Sequence, residues 1–567
     1  MAKYMIIDGK QVEFDKEKNI LAVVRNMGID LPTFCYYPEL STYGACRMCM
    51  VEDAWGGMTA ACSTPPKDGM EIKTNSPKLH QYRKMILELL LSSHCRECLT
   101  CEKNGDCRLQ ELADRFGIRQ IRFPTDYKQL DKDISSKAIV RDPSKCILCG
   151  DCIRTCSELQ HVGAIDFVNR GSDMIVSTAF GKDIADTNCV NCGQCAAACP
   201  TGAITIKNDT EAVWKALHKK NKPVAVQIAP AVRVALGDEF GFAAGENVIG
   251  KIAAVLKRLG FDAVYDTSLS ADLTIMEEAK ELLERLSDPN AVLPMFTSCC
   301  PGWIKYAEEN HPDLLDNIST CKSPMEMFGP VIKEHFKEHP LEGGQKGEDV
   351  VSVAIMPCTA KKYEASREEF KRNGIPDVDY VLTTVELIKM IKEFGIDFAS
   401  LPEEEFDEPF REYSGAGVIF AVTGGVMEAA VRKVVEDKTQ KALDNIKYLG
   451  LRGLEGVKVC ELPYGERTLR IGVVNGLANT EKLIQKIKSG EETFDFVEVM
   501  ACPKGCIGGG GQPKGFRAKK ADRAAGIDQA DQVLPLRRSE DNPAMERLYN
   551  GLLKGREHEL LHVHYTK

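Results

Sequence analysis

Cys146-Ile147-Leu148-Cys149-Gly150-Asp151-Cys152-Ile153-Arg154-Thr155-Cys156 returns about 43 positions later as Cys189-Val190-Asn191-Cys192-Gly193-Gln194-Cys195-Ala196-Ala197-Ala198-Cys199, with Pro200 behind it. Gly163-Ala164-Ile165 follows the first run and Gly202-Ala203-Ile204 the second, so the segment is an internal duplication. Each run reads Cys-x2-Cys-x2-Cys-x3-Cys, the spacing of a module with two 4Fe-4S clusters in which the fourth cysteine serves the other cluster. The pattern predicts one cluster on Cys146, Cys149, Cys152 and Cys199, and another on Cys189, Cys192, Cys195 and Cys156. Structural zinc needs only four thiols per site and gives no reason for the crossed duplication.

Toward the N-terminus, Cys35-x10-Cys46-x2-Cys49-x12-Cys62 is similar to the plant-type 2Fe-2S pattern with a longer first gap. Gly44 and Ala45 keep that loop small enough for backbone amides to approach sulfur. Four thiolates alone do not choose the metal, so zinc stays open there. His94-x3-Cys98-x2-Cys101-x5-Cys107 offers one imidazole and three thiolates. In isolation it reads as well as a Cys3His zinc site. Between a 2Fe-2S module and two 4Fe-4S clusters, a third 4Fe-4S centre would extend an electron path that zinc would interrupt. Cys95 falls outside the pattern and reads as a packed free thiol.

The chain has 567 residues, enough for about four domains. The expected division is 1–80, a plant-type 2Fe-2S domain; 81–125, the His/Cys3 domain; 126–210, the two-cluster ferredoxin-like domain; and 211–567, a catalytic block. Asn208-Asp209-Thr210 caps an expected helix from Glu211 to Lys219. Beyond it, strand-like runs alternate with helical stretches: Val224 to Ile228, Ala291 to Phe296, Val350 to Ile355, Gly417 to Val422, Leu469 to Val474 and Phe496 to Met500. The fold class is therefore α/β and multidomain, with iron-sulfur modules ahead of a block with largely parallel sheets. The net charge of −10 argues against a nucleic-acid partner, and no apolar run is long enough to predict a membrane span. The basic run Lys514, Arg517, Lys519, Lys520 and Arg523 reads as a solvated loop. With no signal-peptide pattern, the 23 cysteines point to a reducing, cytoplasmic setting and to metal ligation rather than disulfides.

Several strands run into cysteines. Cys299 and Cys300 follow one, Cys358 another, and Cys502 and Cys506 a third, so these thiols should converge beyond the carboxyl ends of the strands, where open α/β sheets bind ligands. Gly508-Gly509-Gly510-Gly511 lets backbone pass close to a bulky group. Here Thr297-Ser298-Cys299-Cys300-Pro301-Gly302-Trp303, Met356-Pro357-Cys358-Thr359-Ala360-Lys361-Lys362 and Glu498-Val499-Met500-Ala501-Cys502-Pro503-Lys504-Gly505-Cys506 resemble the three signatures of iron-iron hydrogenases. The N-terminal modules match the family's larger clostridial type, and the resemblance covers essentially the whole chain.

That resemblance implies a two-lobed catalytic domain and an H-cluster, a 4Fe-4S cubane on Cys300, Cys358, Cys502 and Cys506 joined through Cys506 to a two-iron subcluster. Cys299 would relay the proton from heterolytic splitting of dihydrogen. Lys361 and Pro230 would face cyanide ligands, and Met356, Met500 and Phe420 would form the apolar wall. Cys299, Glu278, Ser319 and Glu281 match the family's proton path in order. Taken as a helix at about 100° per residue, Thr274 to Leu286 puts Glu278 at the flank of its apolar face. Glu281 and Arg285 then point farther outward, as in an ordinary solvated helix face. The sequence departs from the family at Met325-Glu326, where two glutamines are common, and at Cys321, where a small residue is common.

The expected activity is reversible interconversion of dihydrogen with protons and electrons, with ferredoxin or flavodoxin as electron partner. One alternative is the hydrogenase subunit of an electron-bifurcating complex with flavin- and NAD-binding partner subunits. Others are a non-enzymatic iron-sulfur assembly factor and a hydrogen sensor. Cys460 and the tail residues His558, His562 and His564 read as structural.

Overall fold

The computed structural model describes the chain except residues 1–2, 126, 220–221, 341–348, 435–450, 454–455, 465–466, 514–519 and 567. It divides into two compact units: Met1–Glu158 with Gly163–Thr187 and Gln194–Thr205, and Leu159–Val162 with Asn188–Gly193 and Ile206–Lys567.

In the first unit the Asp8-Gly9 turn, with both residues at positive φ, folds Lys3–Ile7 onto Lys10–Phe14. These belong to a five-stranded sheet completed by Met70–Lys73, Met50–Asp53 and Met58–Ala60. Asn19 caps the helix Ile20–Asn26 by accepting from Ala22 N–H, and Ile20, Leu21 and Val24 pack beside Ile7 and Ile72. Ser76 caps the helix Pro77–Ser92. Within that helix the buried Arg83 donates to Met50 O at 2.7 Å and to Thr74 O at 2.9 Å, so a guanidinium latches the helix to the sheet.

The second unit holds two four-stranded sheets. Ala263–Asp266, Val224–Ile228, Val351–Met356 and Tyr380–Thr383 lie in that order, all parallel. Met295–Phe296, Phe496–Met500 and Arg467–Asn475 are parallel, with Val457–Tyr464 antiparallel at the edge. Every residue of Val224–Ile228 and Phe496–Met500 is buried, which is why these strands are mostly apolar, broken only by Gln227 and Glu498, rather than alternating.

The structure corrects several expectations. Gly417 to Val422 is helical: Gly415–Val418 is a short α-helix and Ile419–Ala421 a 3-10 turn. The Ser414 hydroxyl caps it, and a Cβ on Gly417 would stand 2.1 Å from Ser268 O, so glycine permits close contact with the neighbouring helix. A short apolar run cannot by itself separate a buried helix from a strand. Ala291 to Phe296 contributes only Met295–Phe296 as strand. Arg523 is no part of a solvated loop. It is 2% exposed and donates to Asp238 Oδ2 at 2.6 Å and Pro513 O at 2.9 Å. Lys514, Arg517 and Lys519 lie outside the described residues, and Lys520 opens the helix Lys520–Val533.

Candidate active site and cluster ligands

The strand Met295–Phe296 leads into Cys299 and Cys300, with Cys300 as N-cap of the helix Pro301–Asn310. Val351–Met356 leads through Pro357 to Cys358, and Phe496–Met500 to Cys502. Parallel pairing sends these ends in one direction within each sheet, and the four thiols of Cys300, Cys358, Cys502 and Cys506 face one another. Burial first, then the neighbouring sulfurs, raises the pKa of Cys300, Cys358 and Cys506. Ala501 N–H donates to Cys300 Sγ at 3.3 Å. Glycines line the approach: a Cβ on Gly509 would meet Pro357 O at 2.1 Å, and one on Gly505 would meet Thr423 N at 2.6 Å. Four inward-facing thiols that repel one another as anions, on a backbone too tight for side chains, fit the cationic core of an iron-sulfur cofactor.

Cys299, Phe420 and Met500 share one apolar cluster with Ala231 and Ile507. Met356 is buried in the neighbouring cluster around the first sheet, and Pro230 opens a buried 3-10 turn directly after Val224–Ile228. Lys361 Nζ donates to Cys299 O at 3.2 Å and Glu364 Oε2 at 2.7 Å. Burial opposes its charge, yet Glu364 carries its pKa above the usual value, so it is a fixed cation. Glu326 is fully buried with no partner for either carboxyl oxygen among the described residues. Burial, with Glu364 and Asp377 nearby, pushes its pKa well up, so it stands as a neutral acid.

The helix that carries the acidic pair is Ser268–Ser287. Glu278, expected at the flank of the apolar face, is 0% exposed, and among the described residues its carboxyl oxygens have no partner of good geometry, with Ser298 N–H and Ser319 facing them. Burial, then Glu281, raises its pKa to about 8. Burial, then Glu278, pushes the Cys299 thiol well above its usual value. Ser319 Oγ donates to Glu281 Oε2 at 3.0 Å, and Arg285 grips Glu281 Oε1 at 2.7 Å. Glu281 and Arg285 are both half-buried.

In the first unit, one cavity is lined by Cys146, Cys149, Cys152 and Cys199. Cys46 N–H donates to Cys35 Sγ at 3.3 Å, and the Cys35 and Cys46 thiols share a hydrogen bond, as do Cys49 and Cys62. Those bonds to Cys35 and Cys62 bring Cys46 and Cys49 to about 7. Cys98, Cys101 and Cys107 neighbour one another. His94 is buried and its Nε2 has no hydrogen-bond partner among the described residues. Burial, then Lys145, lowers its pKa to about 4, leaving the neutral imidazole that ligation requires. Cys156 and Cys195 belong to the first unit, Cys189 and Cys192 to the second. Among the described residues no two cysteines form a disulfide.

The model of the iron only hydrogenase large subunit, C-terminal domain, matches residues 222–510, the segment that carries every one of these catalytic-block thiols. The chain belongs to the iron-only hydrogenases. Further matches are a 2Fe-2S iron-sulfur cluster binding domain at 5–77, an NADH-ubiquinone oxidoreductase-G iron-sulfur binding region at 83–122, a 4Fe-4S dicluster domain at 145–203 and an iron hydrogenase small subunit at 517–567. Among curated relatives, the NADP-reducing hydrogenase subunit HndD of Solidesulfovibrio fructosivorans is 46% identical over 99% of this chain and 98% of its own. Iron hydrogenase 1 of Clostridium pasteurianum is 38% identical over the full length of both. A solved structure of a variant of the FeFe-hydrogenase HydA1 of Chlamydomonas reinhardtii aligns at TM-score 0.55 and 39% identity over 64% of this chain and 99% of that one. This FeFe hydrogenase carries 2Fe-2S and 4Fe-4S modules and the family's catalytic domain, and it is an enzyme of dihydrogen.

One set of contacts escaped the sequence. His562, read as structural, lies 2.9 Å from the Thr320 hydroxyl and 3.2 Å from Glu277. Its partners are more than 240 positions away, and no local spacing announces them.

Proposed function

We propose that this FeFe hydrogenase binds its H-cluster through Cys300, Cys358, Cys502 and Cys506, and moves protons along Cys299, Glu278, Ser319 and Glu281. Bound there, the cofactor supplies the redox metals at which the bond of dihydrogen is broken or formed. The observation that carries the reading is a fully buried acid, Glu278, poised near neutrality beside the protonated Cys299 thiol. Burying a carboxyl without well-aligned partners costs about 1–3 kcal/mol, so a function must justify it. Lys361 holds a fixed positive charge that would face a cyanide ligand of the bound cofactor, and Met356, Phe420, Met500 and Pro230 would exclude water. An assembly factor has no use for this proton line. Infrared spectroscopy of the matured protein tests the assignment: carbonyl and cyanide bands are expected, and their absence after full maturation would remove it.

Cys35, Cys46, Cys49 and Cys62 would hold one 2Fe-2S cluster, and three accessory 4Fe-4S clusters, one of them held by His94, Cys98, Cys101 and Cys107, would complete the supply of electron carriers. His94→Ala is expected to lower the iron content by roughly one cluster, about four atoms per chain. Stoichiometric zinc in the parent protein would instead establish a Cys3His zinc site. In the first reading the chain works in the cytoplasm and exchanges electrons with ferredoxin. The second, a hydrogenase subunit working with flavin- and NADP-binding partner subunits, is favoured by the full-length likeness to the HndD subunit. Purification from the native source separates them, since a stable complex reducing NADP with hydrogen supports the second and a lone chain reducing ferredoxin the first.

A further inference from the structure

The proposed proton route reaches Glu281, whose two carboxylate oxygens face different partners. Oε1 accepts from Arg285 Nε at 3.1 Å and from its terminal nitrogen at 2.7 Å. A guanidinium stays charged at every working pH and cannot pass on a proton, so this side fixes Glu281 without conducting. Oε2 accepts from Ser319 Oγ at 3.0 Å, from Thr320 N–H at 2.9 Å and from Thr320 Oγ1 at 3.0 Å. The same Thr320 hydroxyl lies 2.9 Å from His562 Nδ1. Across the ring, His562 Nε2 lies 3.2 Å from Glu277 Oε2, and the other oxygen of Glu277 accepts from the Tyr549 hydroxyl.

Backbone pairing sets this ring in place. Lys322 N–H donates to Leu561 O at 2.8 Å and Val563 N–H to Thr320 O at 2.7 Å, while Leu560 and Leu561 anchor the segment in the core. His558 stacks on His562 with centroids 5.4 Å apart, and His564 follows at 5.8 Å from His558. His558 and His564 are exposed, His562 half-buried. The ring is thus faced by Glu277 on its own side, by Glu281 through Thr320, by the Cys321 thiol, and by His558 toward solvent.

We propose that His562 is the mouth of the proton route, connecting Glu281 to solvent through the Thr320 hydroxyl, with Glu277 as its outer acceptor. The proposal rests on the Cys299, Glu278, Ser319 and Glu281 reading. On inward transfer, His562 Nδ1 gives its proton to Thr320 Oγ1 as that hydroxyl gives its own to Glu281 Oε2. The ring is left neutral with its remaining proton on Nε2 toward Glu277, and it recovers a proton at Nδ1 once the ring turns that nitrogen from Thr320 to solvent or buffer. Outward transfer reverses each step, and no electron moves. Arg285 serves as the clamp that keeps Oε2 turned toward Thr320.

The test uses the matured full chain. His562→Gln is expected to lower hydrogen evolution and uptake about tenfold or more, to enlarge the solvent isotope effect, and to regain rate when free imidazole is added, with infrared bands unchanged. Should that variant fail to mature, Thr320→Val removes the hydroxyl link while keeping the backbone pairing, and the same loss is expected. Parent-like turnover in H562Q, or a loss that imidazole does not restore, would overturn the assignment of His562. If Glu281→Gln is slow in the same experiment, the inner route stands and only its mouth is misplaced. Parent-like turnover in Glu281→Gln would overturn the inner route itself.

Discussion

Glu278→Gln is expected to cut hydrogen turnover about a thousandfold and leave the iron content and infrared bands of the matured protein as in the parent. The amide matches the carboxyl in size and can hydrogen-bond, but it cannot bind and release a proton near neutral pH. Glu278 is 0% exposed and its pKa is raised to about 8, by burial first and then by Glu281. At neutral pH it therefore stands as the acid, able to donate toward Cys299, and it is close enough to its pKa to release that proton readily. Hydrogen evolution should accordingly decline above pH about 8 as the acid form is lost. The same shift has a stability signature. The folded state keeps this proton up to about 8, whereas the unfolded chain releases it near 4.5. Between those values the folded state holds more protons, so the contribution of Glu278 to stability falls as pH rises and levels off above 8. The glutamine variant lacks that slope, and its stability relative to the parent should improve toward alkaline pH. A parent-like rate in Glu278→Gln would exclude it from the path.

Cluster-binding modules were legible because metal chemistry fixes residue type and spacing together. The duplicated runs at 146–156 and 189–199 read directly as a two-cluster module, and the same runs fall within the 4Fe-4S dicluster match. Long apolar strands were equally plain, since Val224–Ile228 is covered on both faces. What failed was of two kinds. Gly417 to Val422 carries an apolar run too short for its period to decide, and the deciding facts are tertiary: Ser414 held by Asp272, and Gly417 pressed against Ser268 O. Charges were the other failure. Arg523 is a polar residue whose burial comes from an element far away in sequence, so a charge run assigned it to solvent, and Glu278, set by a helical wheel at the flank of an apolar face, is wholly buried. Buried polar groups depend on partners that no local window contains.

Asp531→Ala is expected to destabilise the second unit by about 3–5 kcal/mol, because it strips the counter-charge from guanidinium groups that stay buried. Asp531 lies in the helix Lys520–Val533 and is 0% exposed. Its Oδ1 accepts from Arg432 and from Arg537, both at 3.0 Å, and its Oδ2 from the same pair at 2.8 and 3.1 Å, with Arg452 3.4 Å away. Burial pushes this carboxyl up, but Arg432, Arg537 and Arg452 outweigh it and hold the pKa below the usual value. Its contribution is therefore present at neutral pH and is lost only as pH falls through that lowered pKa. Glu428 shares Arg432 at 2.7 Å and Arg452 at 2.6 Å, and Asp528 also holds Arg452 at 2.6 Å, so without Asp531 the buried Arg432 would keep only a carboxylate it shares. The knot also supports the site: a Cβ on Gly415 would stand 2.2 Å from Asp531 Oδ1, and the helix Gly415–Val418 leads directly to Phe420. Thermal unfolding followed by circular dichroism should show a lower midpoint for the transition of this unit. The decisive comparison is with Asp531→Leu combined with Arg432→Met. Removing both charges spares the protein an unpaired buried cation, so the double variant should be more stable than Asp531→Ala. If it is less stable, Arg432 owes its place to packing and the Glu428 bond, and the charge argument for Asp531 fails.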